Sequence, residues 1–118
     1  MTARTIRIVT LSTVKALRLR SQQSDDLLVN GAGWIAHAGV VVLCNPRHRD
    51  VLIALLARPG ALWTVHDLVE TLYADDPDGG PDCADAHTRH LIYDLRSVSK
   101  AVGIKIEVIG RTYQARLV

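Results

Sequence analysis

The stretch DAHTRHLIYDLRSVSKAVGIKIEVIGRTY, from Asp85 to Tyr113, decides how the rest of the chain is read, because it carries a helix, a stop and a hairpin in that order. With a helix from Ala84 to Val102, Leu91, Leu95, Val98 and Val102 recur at alternating spacings of four and three residues and form one apolar stripe. Arg89, Tyr93, Arg96 and Lys100 keep the same rhythm on another face. One side of such a helix enters a core while the other stays wet and mostly positive, as a helix lying against a polyanion requires. Gly103 is its stop.

Beyond the stop, Ile104, Ile106 and Val108 alternate with Lys105 and Glu107, the period of a half-buried strand. Gly110, Arg111 and Thr112 make a turn, and Tyr113, Ala115 and Leu117 then alternate with Gln114 and Arg116 on a returning strand. Arg111 is placed at the tip of this hairpin.

Length and charge bound the reading from outside. A chain of 118 residues suits one domain with one modest core, and 48% hydrophobic residues with ordinary charge content is the composition of a folded module. The net charge of +2 does not by itself point to nucleic acid, but its distribution does. Basic side chains outnumber acidic ones five to two in residues 1–26 and six to three in 85–118, whereas the middle, 27–84, has three basic against seven acidic. Cys44 and Cys83 are too few for a disulfide scaffold and no signal-peptide pattern opens the chain, so a reducing cytoplasm is the expected setting. The apolar run Gly39 to Cys44 is too short to span a bilayer, and no membrane partner is expected.

Residues 1–26 read as an N-terminal arm: Ile6, Ile8 and Val9 suggest a short strand, and Ser12 or Thr13 caps a short helix bearing Val14, Leu17 and Leu19. Arg4, Arg7, Lys15, Arg18 and Arg20 make the arm basic, either as a solvated surface or for contact with a DNA backbone or a second copy of the chain. From Leu27 to Leu43, apolar residues broken by Gly31, Gly33 and Gly39 indicate two or three short strands, with Trp34 in a packing role. Asn45-Pro46 starts a helix whose core face is Val51, Leu52, Leu55 and Leu56, and Pro59-Gly60 ends it. Thr64 and Asp67 form a variant capping box for a helix with Leu68, Val69 and Leu72 on one stripe and Tyr73 at its end. Residues 74–82, ADDPDGGPD, are an acidic loop.

These elements resemble the effector domain of OmpR/PhoB-type response regulators, a winged helix-turn-helix, over residues 27–118. The family's recognition helix reads approximately V-D-V-H-I-R-R-L, matched here by Asp85-Ala86-His87-Thr88-Arg89-His90-Leu91, and its wing ends in R-G-x-G-Y-R, matched by Ile109-Gly110-Arg111-Thr112-Tyr113. Ile92, Tyr93 and Asp94 stand where the family usually has basic residues, and Ile109 stands in place of the wing arginine.

The resemblance implies an α+β fold: a small N-terminal antiparallel sheet, three helices and a C-terminal β-hairpin wing. It implies sequence-specific binding of double-stranded DNA by a transcription regulator in a prokaryote-type cytoplasm. His87, Arg89, His90, Tyr93, Arg96 and Arg111 are the expected DNA-binding residues, and Tyr113 is mainly structural. The family's loop corresponding to 74–82 can touch RNA polymerase, and a homodimer would supply a second half-site to offset the sparse basic residues. No phosphorylatable receiver segment precedes the domain, so control is expected from abundance, partners or self-association.

Catalytic and cofactor motifs are not found: there is no P-loop, nucleophile elbow, Rossmann glycine pattern or HExxH, and neither enzyme activity nor a cofactor is expected. Cys83, His87 and His90, at offsets of four and seven, are the best metal candidates, but no CxxC or fourth ligand accompanies them and no metal is expected. The rival reading is a protein-interaction module, an adaptor or anti-regulator that has lost DNA binding and docks through an apolar Ile92-Tyr93 surface. Burial of both residues favours DNA, and exposure of both on an open patch favours the rival.

Overall fold

The computed structural model describes residues 6–58, 60–78 and 80–117. Its first sheet is built from β1 (Ile8–Thr10), β2 (Leu27–Val29), β3 (Trp34–His37) and β4 (Val40–Leu43), hydrogen-bonded in that order. β2, β3 and β4 pair antiparallel, as expected, whereas β1 adds to the edge in parallel, with Ile8 opposite Leu27 and Thr10 opposite Val29. The parallel join needs a crossover, and helix α1 (Val14–Ser21) supplies it. Residues 8–21 are thus structurally part of the sheet layer, and α1 is the short helix expected in the arm, added to the three of the winged helix. Arg4 of the basic arm lies outside the described residues.

Both faces of this sheet are covered, which is why its strands read as apolar runs rather than as an alternation. Leu28 and Ala36 point to Leu17 of α1 and form a small separate cluster, with Val9, Trp34 and Val41 at its margin. Leu27, Val29 and Ile35 point the other way into the main core. Thr13 caps α1 by accepting the Ala16 N–H, and Leu19, expected on the apolar face with Leu17, is exposed. An eight-residue helix laid on a narrow sheet has one contact line, and Leu17 takes it.

The main core lies between this sheet, helices α2 (Pro46–Ala57), α3 (Val65–Leu72) and α4 (Ala84–Ala101), and a second sheet of order β5 (Trp63–Thr64), β7 (Thr112–Leu117), β6 (Ile104–Ile109). Asn45 caps α2 by accepting the His48 N–H, with Pro46 at the first helical position. Val51, Leu52, Leu55 and Leu56 of α2 are buried as predicted; Arg58 ends the helix, and Pro59 lies outside the described residues. The Thr64–Asp67 capping box is formed in both directions, at 3.1 and 3.2 Å.

Two backbone details fix how the sheet meets the helices. Gly33 has φ +99°, and a Cβ there would lie 2.2 Å from the carbonyl oxygen of Cys44, so only glycine allows β3 to approach the start of α2 this closely. His37, at the end of β3, places Nδ1 2.6 Å from the carbonyl oxygen of Val102, the residue that caps α4. The first sheet therefore holds the C-terminal end of the longest helix.

Candidate nucleic-acid interface

α4 presents the two faces that the sequence predicts. Leu91, Leu95 and Val102 are buried and Val98 is half-buried, while Arg89, Tyr93, Arg96 and Lys100 are exposed. Ile92, Thr88 and Ser99 are also buried, which widens the inward face beyond the predicted stripe. Ser99 satisfies its hydroxyl by donating to the Arg96 carbonyl, whereas Thr88 Oγ1 has no hydrogen-bond partner among the described residues. Cys83 precedes the first turn without capping it, and Gly103 follows the last at φ +78°.

The hairpin of β6 and β7 is in register from Ile104 opposite Leu117 to Ile109 opposite Thr112, leaving Gly110 and Arg111 as the turn. Ile104, Ile106 and Ala115 are buried against α4 and the core. Val108, expected on the inward side of the strand, is exposed together with Ile109, because the last rungs of the hairpin extend beyond the residues that cover its base. Glu107 sits between Lys105 and Arg116 across the strands, and its hydrogen bond to Lys105, with the positive charge of both, lowers its carboxyl pKa.

Arg89 and Arg111, distant in sequence, line one cleft of about 510 Å³ with Thr64, Val65, His66, Gly110 and Tyr113. Its walls are thus the first half of α4, the tip of the hairpin and the N-terminus of α3. Neither arginine makes an ion pair among the described residues; the same is true of Arg96 and Lys100. Tyr113 stands opposite Trp63 in the second sheet and is half-buried.

His87 and His90 are exposed, but on a different flank of α4 from Arg89. His90 Nε2 lies 3.6 Å from Asp94 one turn on, and this pair faces His48 of α2. The His48 pKa is lowered by burial, against the opposing charge of Asp94, with a smaller lowering from His90. Among the described residues no three His, Cys, Asp or Glu side chains are grouped to hold a metal, so Cys83, His87 and His90 are not assembled as a site. His66 is engaged with Glu70 at 3.0 Å rather than with the adjacent Asp67.

Of the residues expected at the site, Arg89 and Arg111 line the cleft and Arg96 does not, and the start of α3 was not foreseen as one of its walls. The Ile92-Tyr93 pair is split: Ile92 is 1% exposed and in the core, Tyr93 is 73% exposed, and no joint apolar patch forms.

No family model and no curated protein matches the sequence. Among solved structures, the C-terminal domain of the nisin resistance regulator NsrR, a lantibiotic response regulator, is similar in fold. The match has 21% sequence identity and a TM-score of 0.59, covering 75% of this chain and 88% of that one. The fold is a winged helix-turn-helix. In winged-helix terms, α3 and α4 take the place of the helix-turn-helix pair and the β6–β7 hairpin that of the wing. Among the described residues no helix is long and apolar enough to cross a membrane.

Proposed function

We propose that this winged helix binds double-stranded DNA in a sequence-specific manner and acts as a transcription regulator, in the cytoplasm. The observation that carries the reading is the cleft in which Arg89 and Arg111 converge, without ionic partners among the described residues, between the recognition helix and the wing tip. Like charges held together without a counter-ion favour an anion that brings its own charge, and DNA phosphates do so at regular spacing. A helix fits the major groove, where a guanidinium can donate to guanine N7 and O6. Arg89 takes that role, Arg111 reaches the adjacent backbone from the wing, and exposed Tyr93 follows Arg89 along the groove floor. His90 and His87 flank this face and add charge only when protonated.

The described residues of loop 74–82 are exposed or half-buried and rich in aspartate, a surface suited to a basic protein partner such as RNA polymerase. A homodimer would place two recognition helices on two half-sites and multiply a modest single-domain affinity.

The test is selection from a pool of random duplexes, repeated with Arg89→Ala and Arg111→Ala. Wild type should enrich a motif; Arg89→Ala should lose about 1–3 kcal/mol on it and relax one base position. Arg111→Ala should weaken all sequences alike. Wild-type binding that is weak, unselective and insensitive to salt would rule out the reading. Full binding and selectivity by Arg89→Ala would remove the role given to that residue.

A further inference from the structure

The two sheets end in open edges at β1, β4, β5 and β6, and three of these are guarded. β1 is three residues long and preceded by Arg7, β5 is two residues long, and β6 carries Lys105 and Glu107. Short length and charge are the usual devices that keep a strand edge from pairing with another chain. β4 is longer than the first two and, unlike the third, uncharged: Val40–Leu43 reads VVVL, and no charged residue occurs from Ala38 to Pro46. Val40 and Leu43 are exposed on it.

The backbone of β4 is turned toward solvent on its outer side. Cys44 donates to the Gly33 carbonyl and Asn30 to that of Trp34, which fixes the alternation, so Val40 and Val42 bond to His37 and Ile35 of β3. Positive φ at Ala38 and Gly39 closes the His37–Val40 pair in a two-residue turn of the same phase. The amide and carbonyl groups of Val41 and Leu43 therefore point away from β3, and among the described residues no backbone group of another element bonds to them.

The geometry points to a second copy of this chain as the occupant of that edge: two β4 strands pair antiparallel about a two-fold axis through Val42, joining two four-stranded sheets into one. In this register Val41 of one copy lies opposite Leu43 of the other, twice, and the outward groups of both strands are consumed in four hydrogen bonds. Exposed Leu43 gains Val41 as its cross-strand neighbour, Val42 faces its own counterpart, and no like charges are brought together. A four-residue seam is small beside the roughly 1,200 Å² of a stable complex, so the pair is weak in free solution. Two half-sites on one duplex complete it by raising the effective concentration. The pairing of the strands is independent of the DNA-binding reading, whereas its completion on a duplex rests on that reading. An isologous pair relates its two α4 helices by the same two-fold axis, so the half-sites form an inverted repeat.

Hydrogen exchange of the full chain, in dilute and in concentrated solution, reads the seam directly. The Val40 and Val42 amides should be protected in both, whereas those of Val41 and Leu43 should gain protection only when the protein is concentrated. Val41→Pro removes two of the four bonds across the seam and none to β3, and should weaken association by about tenfold or more in sedimentation equilibrium. Leu43→Lys, a change at an exposed side chain, should weaken it likewise with an unchanged thermal midpoint. Duplex selection should return an inverted repeat for wild type and a single half-site for Leu43→Lys.

Unprotected Val41 and Leu43 amides in concentrated protein that sediments as a monomer would overturn the pairing. A direct repeat, bound equally well by wild type and Leu43→Lys, would overturn its role on DNA and leave the DNA-binding reading standing. Concentration-dependent protection at Val41 and Leu43 without any duplex binding would uphold the seam and overturn that reading.

Discussion

His37 is where the stability of the N-terminal sheet and the placement of α4 meet, and its replacement should show both. The side chain is 8% exposed, and its Nδ1 donates to the Val102 carbonyl at 2.6 Å across 65 residues of sequence. His37→Ala removes a short buried hydrogen bond and leaves that carbonyl without this partner, a loss of about 1–3 kcal/mol. Loss of the packed ring adds roughly 1 kcal/mol more by comparison with other large-to-small changes. For a domain of this size each kcal/mol moves the melting midpoint by about 3–6 °C, so the variant should melt roughly 10 °C lower. His37→Gln, which keeps a side-chain donor, should lose about half as much. The decisive assay is native-state hydrogen exchange at the helix end. The amides of Val102 and Gly103 bond back to Ser99 and Lys100, and they should lose protection in His37→Ala before the rest of α4 does. An unchanged urea midpoint together with unchanged protection at Val102 and Gly103 would refute the claim that the sheet holds this helix end.

Two other perturbations test the frame itself. Gly33→Ala puts a Cβ 2.2 Å from a backbone carbonyl oxygen at φ +99°, and should lose more than about 3 kcal/mol in a urea titration, whereas Gly31→Ala, with nothing within 4 Å, should be close to neutral. The Asp67 carboxyl is held below its ordinary value, first by its backbone hydrogen bond at Thr64 and then by the Thr64 side chain. A depressed carboxylate pKa stabilises the fold above the unfolded value and loses that contribution as pH falls through the folded one. Wild type should therefore be more stable than Asp67→Asn near neutrality, and the two should converge in acid; a difference that persists at the lowest pH would refute the capping role.

What was legible in the sequence followed from periodicity and punctuation. The four-and-three spacing over Leu91 to Val102, the Asn45-Pro46 start and the Thr64–Asp67 box each describe a local event, and each is found where it was read. Leu19, Val108 and the parallel strand β1 were not legible in the same way. A period of 3.6 or 2 says which residues share a face, but not whether anything lies over that face. Leu19 and Val108 share faces with buried residues and sit beyond the reach of what covers them. The parallel pairing of Ile8 with Leu27 depends on where α1 returns the chain, which no pattern within either strand records.

The same limit bore on function through Ile92 and Tyr93. As sequence neighbours on a helix they are about 100° apart, so one being buried says little about the other. Ile92 closes the core between Leu91 and Leu95, and Tyr93 stands out in solvent between the turns that carry Arg89 and Arg96. An apolar docking surface needs both, and only the tyrosine is there. A single aromatic ring within a row of cations free of ionic partners among the described residues has little to bury against a protein. It has the right company for a groove whose rims are phosphate and whose floor is base edges and thymine methyls. Removing the ring alone should then weaken discrimination between duplexes more than it changes the salt slope, and a Tyr93→Ala variant that keeps full discrimination would refute this placement of the ring.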